Sequence, residues 1–280
     1  MHKGIHRFRK EHMKLPTWFL SAKERRSIET LDKITNSHFR IFAKIRNHEF
    51  RKLLMKTIVI SSQKGGGGKT TLTALLSVEA ERTGDGPAWL IDTDQQGTLS
   101  QWHERREAEK PERTEVPFSE LVASLPALGQ QHGGAFCFID TAPTISTQTA
   151  SIIKLAGLVL IPVQPSPLDA WAIGDTVRIA RDAGRPYLFV MTKANAQANV
   201  TAQTIAALSH HGPVARTFIA NRVAYATAMA SGLTAPEVAL TGPAAAETAA
   251  LWQEVKSQFS EFTNSRKKKI AKLGKERADA

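Results

Sequence analysis

The stretch Thr57–Thr71, TIVISSQKGGGGKTT, leaves this chain few folds to choose from. Thr57, Ile58, Val59 and Ile60 form a β-branched run that reads as a buried strand. Ser61, Ser62, Gln63 and Lys64 follow, then the glycines Gly65, Gly66, Gly67 and Gly68. Lys69, Thr70 and Thr71 open an apolar segment of helical period. Strand, glycine loop and helix start in that order make a phosphate-binding loop. Glycines let backbone N–H groups turn inward around a phosphate, and the helix start adds unpaired amides and the positive end of its dipole. Lys69 is placed to reach the β- and γ-phosphates of a nucleotide, and the Thr70 hydroxyl to ligate Mg²⁺.

Downstream, strands and helices alternate. The pattern predicts helix over 70–81, strand over 88–91, helix over 98–109 and 118–128, and strands over 135–139 and 158–163. Helix 170–183, strand 187–191, helix 200–209, strand 214–219 and a closing helix over 244–262 follow. Near-continuous apolar strands separated by helices imply an α/β fold, a doubly wound and mostly parallel sheet with helices on both faces. Ligands in such folds lie beyond the carboxyl ends of the strands.

Two acidic strand exits stand there. Asp140 closes the apolar run Phe136–Ile139, where a carboxylate can hold Mg²⁺ opposite Thr70, although such an Asp also forms turns or caps helices. Asp92 and Asp94 end the second strand. One can orient or cap, while the other polarises an attacking water, directly or as a ligand of Mg²⁺ through water.

Lys64, immediately before the glycines, gives Lys-Gly-Gly-x-Gly-Lys-Thr-Thr in place of the ordinary loop. That spacing resembles the deviant Walker A motif of the ParA/MinD family of P-loop ATPases. The segment Ile161-Pro162-Val163-Gln164-Pro165-Ser166-Pro167-Leu168-Asp169 and the later Ile219–Tyr225 stretch resemble the small plasmid-partition, ParF-type, branch. The resemblance spans roughly Met55 to Phe262. It implies ATP and Mg²⁺ as ligands and an ATP-state homodimer. In that dimer Lys64 crosses to the partner's phosphates, and Pro162, Pro165 and Pro167 lie near the interface. It makes Asp140 the Walker B aspartate, and Lys64, Lys69 and Asp94 the residues of catalysis. Where the family has Asp-x-Asp-Pro-Gln-Gly, Gln95 replaces the proline here, which frees φ, adds a donor and predicts a looser loop. Adenine contacts are expected near Thr192–Asn195 and Thr217–Arg222. The family's role implies non-specific DNA binding, a small centromere-binding partner and a weak ATPase activity stimulated by that partner. Alternatives are a MinD-like positioning ATPase on a membrane, or an ATP-regulated repressor.

Charge distribution bears on those alternatives. The net +11 is uneven: residues 1–56 carry 15 Lys/Arg against 5 Asp/Glu, and residues 265–280 carry 7 against 2. The body between is mildly acidic, with 15 against 19. Basic ends commonly contact nucleic acid or anionic lipid. We therefore divide the chain into a basic extension (1–54), an ATPase domain (55–262) and a basic tail (263–280). Within the extension, 27–38 and 39–54 are each expected to form a basic amphipathic helix. Met55 is also a plausible natural start, which would make the extension an error of start-site choice. DNA contacts, to phosphates rather than bases, are expected from Arg178, Arg181, Arg185, Arg216 and Arg222, and from Arg266, Lys267, Lys268 and Lys269. The tail's Ile270, Ala271 and Leu273 are too few for a membrane-binding apolar face. The single cysteine, Cys137, excludes an internal disulfide. No run approaches the ~18 apolar residues that span a bilayer, and the basic N-terminus lacks a signal-peptide core, so a cytoplasmic protein is expected, and the family resemblance implies association with the nucleoid.

Overall fold

The sheet grows outward from the strand that feeds the glycine loop. The computed structural model describes residues 55–132 and 136–276. The chain divides into two units, Met1–Lys52 and Leu53–Ala280, and all described residues lie in the second. The two expected N-terminal helices fall outside the described residues.

β1 (Lys56–Ile60) leads into α1 (Lys69–Arg82), β2 (Ala88–Asp92), α2 (Thr98–Glu104) and β3 (Glu112–Arg113). A 3₁₀ turn at Phe118–Glu120 precedes α3 (Leu121–His132), β4 (Phe136–Asp140), α4 (Thr147–Leu155) and β5 (Leu158–Val163). Then come α5 (Pro167–Trp171), α6 (Gly174–Asp182), β6 (Tyr187–Ala194), α7 (Asn199–Ser209) and β7 (Ile219–Ala220). The chain continues through α8 (Val223–Ala230), α9 (Ala235–Val238) and α10 (Pro243–Glu276). The sheet has seven strands in the order β3-β2-β4-β1-β5-β6-β7. All pairs are parallel, so "mostly parallel" sharpens to wholly parallel. β1 sits centrally between β4 and β5, where the winding reverses, and its carboxyl end opens into the crevice of such folds.

Alternation along the strands feeds two cores. Ile58, Ile60, Phe136 and Phe138 face one side with Leu72, Leu76 and Trp252, whereas Val59, Cys137, Ile139 and Ile161 face the other with Ile152, Ile153 and Val177. α1 and α10 cover the first face. Trp252 is fully buried, packs edge-on to Phe136 at 4.9 Å and donates its indole N–H to Asp85 at 2.9 Å. Burial pushes the Cys137 thiol up, consistent with a small core residue.

The sequence pattern errs where tertiary contacts intervene. α2 stops at Glu104, not 109, because Arg106 turns inward, pairs with Glu237 at 2.7 Å and lies over Trp102. The expected helix over 170–183 is two pieces, starting earlier at Pro167, whose fixed φ suits a first helical position, and interrupted after Trp171. The strand expected at 214–219 contributes one bridge, Phe189 to Val214, and the two residues of β7. The closing helix runs on to Glu276, so backbone helix continues past Phe262 into the expected tail. α4, α8, α9 and β3 were not expected.

Candidate functional site

β1 continues its ladder through Ser61, whose N–H donates to Leu160 O at 3.0 Å, and then leaves the sheet. Pro162 lies just beyond that departure. There β5 pairs with β6 but no longer with β1, so the missing N–H leaves no gap in the ladder. Gly66 and Gly68 hold φ of 71° and 88°, which only glycine adopts without strain. A Cβ at Gly67 would come within 3.4 Å of Ser62 Oγ, in van der Waals contact. α1 starts at Lys69 with no side-chain cap, so its first-turn amides stay available.

The loop carbonyls are tied to neighbouring strand exits. Thr192 Oγ1 donates to Gly67 O at 2.8 Å, and both Gln164 Nε2 and Lys193 Nζ donate to Gly66 O at 2.9 Å. Lys193 takes a left-handed φ of 50° to do so. Holding carbonyls outward leaves the N–H groups for the concave side, an anion-binding arrangement.

Lys69 is buried in this cradle and its ammonium donates to Lys64 O at 3.1 Å. Burial holds its pKa below the usual lysine value, against the opposing pull of Asp140 and Asp94. Thr70 Oγ1 donates to Asp140 Oδ2 at 2.6 Å, while Asp140 Oδ1 is buried with no hydrogen-bond partner among the described residues. Burial raises the Asp140 carboxyl to about 7, with Asp92 and Asp94 adding to the rise and Thr70 and Lys69 opposing it. An orphaned carboxylate oxygen beside a threonine hydroxyl, at the mouth of a phosphate cradle, fits Mg²⁺.

Asp92 and Asp94 differ in their hydrogen bonding. Asp92 accepts from Ser100 N at 2.9 Å, Ser100 Oγ at 3.0 Å and Asp94 N at 3.1 Å, which fixes the loop and the start of α2. Among the described residues, the one hydrogen bond that Asp94's carboxylate accepts is from Gln96 N, on Oδ1. Despite Gln95, the loop closes as a turn, Gly97 N to Asp94 O at 2.9 Å.

Lys64 is only partly shielded from solvent, its side chain 41% exposed. Its ammonium lies 3.1 Å from Asp169 Oδ1 in the proline-bearing turn. Pro162 is buried, Pro165 half-buried and Pro167 exposed at the start of α5. Sequence reasoning missed the roles of Asp169, Gln164, Thr192 and Lys193. Asp169 and Gln164 lie within the quoted proline segment, but nothing local distinguishes a side chain that reaches back about a hundred residues.

A cavity of about 130 Å³ adjoins the loop, lined by Leu72, Leu75, Thr192, Ile219, Asn221 and Arg222 among others. It lies at the two segments expected to surround a nucleobase. The candidate DNA-contacting arginines are dispersed. Arg178 pairs with Asp175 and Asp182, Arg181 with Tyr187 and His211, and Arg222 with Glu247. Arg216 is exposed, between the Val214 bridge and β7, and Arg185 is half-buried just before β6. Lys267, Lys268 and Lys269 lie on α10, their side chains outside the described residues.

A family model described as the CobQ/CobB/MinD/ParA nucleotide binding domain matches residues 58–235. The maintenance of carboxysome distribution protein A of Halothiobacillus neapolitanus is 28% identical over 199 residues, 68% of this chain and 91% of that protein. Protein ParA of Rhizobium radiobacter is 32% identical over 118 residues, 41% of this chain and 52% of its own. Among solved structures, Pyrococcus horikoshii MinD complexed with Mg-ADP is similar with a TM-score of 0.60 at 16% identity, covering 72% of this chain and 96% of that one. A McdA–ATP complex from Cyanothece gives 0.59 at 19% identity, covering 74% and 97%. At such identities the structures establish the fold.

Proposed function

This chain belongs to the CobQ/CobB/MinD/ParA nucleotide-binding family, and on that footing we propose that it is an ATPase that moves a DNA cargo. In this reading the ATP-bound dimer binds DNA non-specifically, and hydrolysis releases it. The observation that carries the nucleotide chemistry is the Thr70–Asp140 contact of 2.6 Å, with Asp140 Oδ1 left unpaired beside the glycine cradle. The loop amides and Lys69 bind the phosphates, and Thr70 and Asp140 hold Mg²⁺. Magnesium, when bound, offsets the charge that develops on the phosphate oxygens. Asp94, whose carboxylate is the less engaged of the strand-exit pair, orients the attacking water. The cavity bounded by Leu72, Ile219 and Asn221 takes the nucleobase. Lys64 completes the site of a second copy.

The basic residues at 265–280, 7 Lys/Arg against 2 Asp/Glu, support DNA as the surface bound. A small centromere-binding protein would stimulate the otherwise weak turnover, and the protein would sit on the nucleoid in the cytoplasm. A second cargo is favoured by one observation: the relative that this chain matches over 91% of its length is a carboxysome distribution protein. The transport cycle is the same in both readings, and only the adaptor differs. No described helix is long and apolar enough to cross a membrane.

The test is anisotropy of a random-sequence duplex with the full chain and ATP, ADP or no nucleotide, at several salt concentrations. The expected result is ATP-dependent binding that weakens steeply with salt. Equal binding with ADP, or co-sedimentation with anionic liposomes in place of DNA binding, overturns the reading.

A further inference from the structure

We infer that Asp169 is a positioning residue that stores Lys64 on its own subunit, so that dimer closure must first break this pair. The inference rests on the proposed crossing of Lys64 to a second copy. Lys64 Nζ sits 3.1 Å from Asp169 Oδ1, and the Asp169 side chain is only 10% exposed. The other carboxylate oxygen accepts one long bond, from Gln164 N at 3.4 Å. The ammonium is therefore the main side-chain partner of a nearly buried charge, although Lys64 itself is 41% exposed and solvent screens part of the pair. Its departure leaves that charge poorly compensated, which is unfavourable unless the turn rearranges.

One ammonium cannot serve both Asp169 and a partner's phosphates. The turn it would abandon is also linked to the glycine loop through Gln164 Nε2 to Gly66 O at 2.9 Å. Gln63 Nε2, on the loop's other flank, donates to Asp175 Oδ2 at 2.8 Å on α6. Asp169 itself lies in the first turn of α5, and Pro165 and Pro167 stiffen the segment that leads into it, so a shift at Asp169 moves that helix. α5 carries Leu168 and Trp171, 59% and 76% exposed. Lys64 thus couples occupancy of the partner's site to the position of α5. The pair sets a threshold that a phosphate cluster of high charge can overcome.

The experiment compares the full chain with Asp169→Asn and Asp169→Glu, using AMPPNP and Mg²⁺ and reading the dimer Kd by sedimentation velocity. An ion pair of this kind is worth about fivefold in an equilibrium constant, so with two pairs broken per dimer Asp169→Asn should dimerise roughly 25-fold more tightly. Asp169→Glu should return toward the wild-type value. Acetylation of Lys64 in the nucleotide-free chain, followed by mass spectrometry, should be several-fold faster in Asp169→Asn. Wild type should show a fluorescence change on dimerisation that Trp171→Phe removes. A wild-type chain that dimerises while Asp169→Asn dimerises no better, with unchanged Lys64 labelling, overturns the storage role alone. A wild-type chain that stays monomeric with AMPPNP overturns the crossing-lysine reading as well.

Discussion

Replacing Asp140 by Asn should stabilise the protein at pH 8 while abolishing its response to Mg²⁺ and ATP. Asp140 is 1% exposed, and burial lifts its carboxyl from 3.8 to about 7. At ~1.4 kcal/mol per pKa unit, that rise corresponds to a penalty of about 4 kcal/mol for holding the ionised form in the fold. Because the folded-state value is the higher one, the carboxyl's favourable contribution is complete below about pH 4. It is lost as the pH rises through about 7. An amide keeps an acceptor for Thr70 Oγ1 but places an unpaired donor where Oδ1 stands, which takes back about 1–3 kcal/mol. The net gain at pH 8 is about 1–3 kcal/mol, or roughly 2–12 °C in Tm at ~2–4 °C per kcal/mol for a domain of this size. The assay is thermal unfolding of the full chain from pH 5 to 8 in chelator, repeated with Mg²⁺ and ATP. Toward pH 5 the advantage should vanish, and with ligand wild type should gain stability that the variant does not. A variant less stable than wild type at pH 8, or a difference that does not move with pH, would refute the argument that Asp140 carries a strained, metal-ready charge.

Three further outcomes test other parts of the site. Lys64→Ala should abolish ATP-dependent dimerisation in light scattering yet retain monomer binding of a fluorescent nucleotide, and a normal dimer would defeat the crossing assignment. Asp94→Ala should slow turnover by about 10²–10⁴-fold with nucleotide affinity near wild type, as expected for a group that orients the attacking water. Arg106→Ala should cost about 3–5 kcal/mol in urea unfolding, because Glu237 would lose its bidentate partner and Trp102 its stacked guanidinium, and a loss below 1 kcal/mol would show that the pair is dispensable.

Much of the fold was legible because burial on both faces demands apolar strands, and only the glycine loop breaks the first of them. β5 lies where the apolar run at 158–163 places it, and β1, α1 and β2 agree to within a residue or two. The failures are places where periodicity carries no signal. β3 is two polar residues that pair only because β2 passes beside them. α2 ends where Arg106 finds Glu237, 131 residues away. α8 is rich in alanine with only Tyr225 and Ala228 buried, so its apolar stripe is too thin to stand out.

For the site, the local sequence determined every group whose position follows from being next to the loop or at a strand end: the glycines, Lys69, Thr70, Asp94 and Asp140. Those groups are set by a few residues of backbone geometry, and the parallel sheet brings its strand exits together whatever the details. Tertiary structure alone decided which donors meet which acceptors across that crevice. It assigned Asp92 to the loop and left Asp94 less engaged, brought Gln164 and Lys193 to Gly66, and placed Lys64 on Asp169. Such pairings depend on angstrom-scale distances between segments far apart in the chain. No spacing rule encodes them.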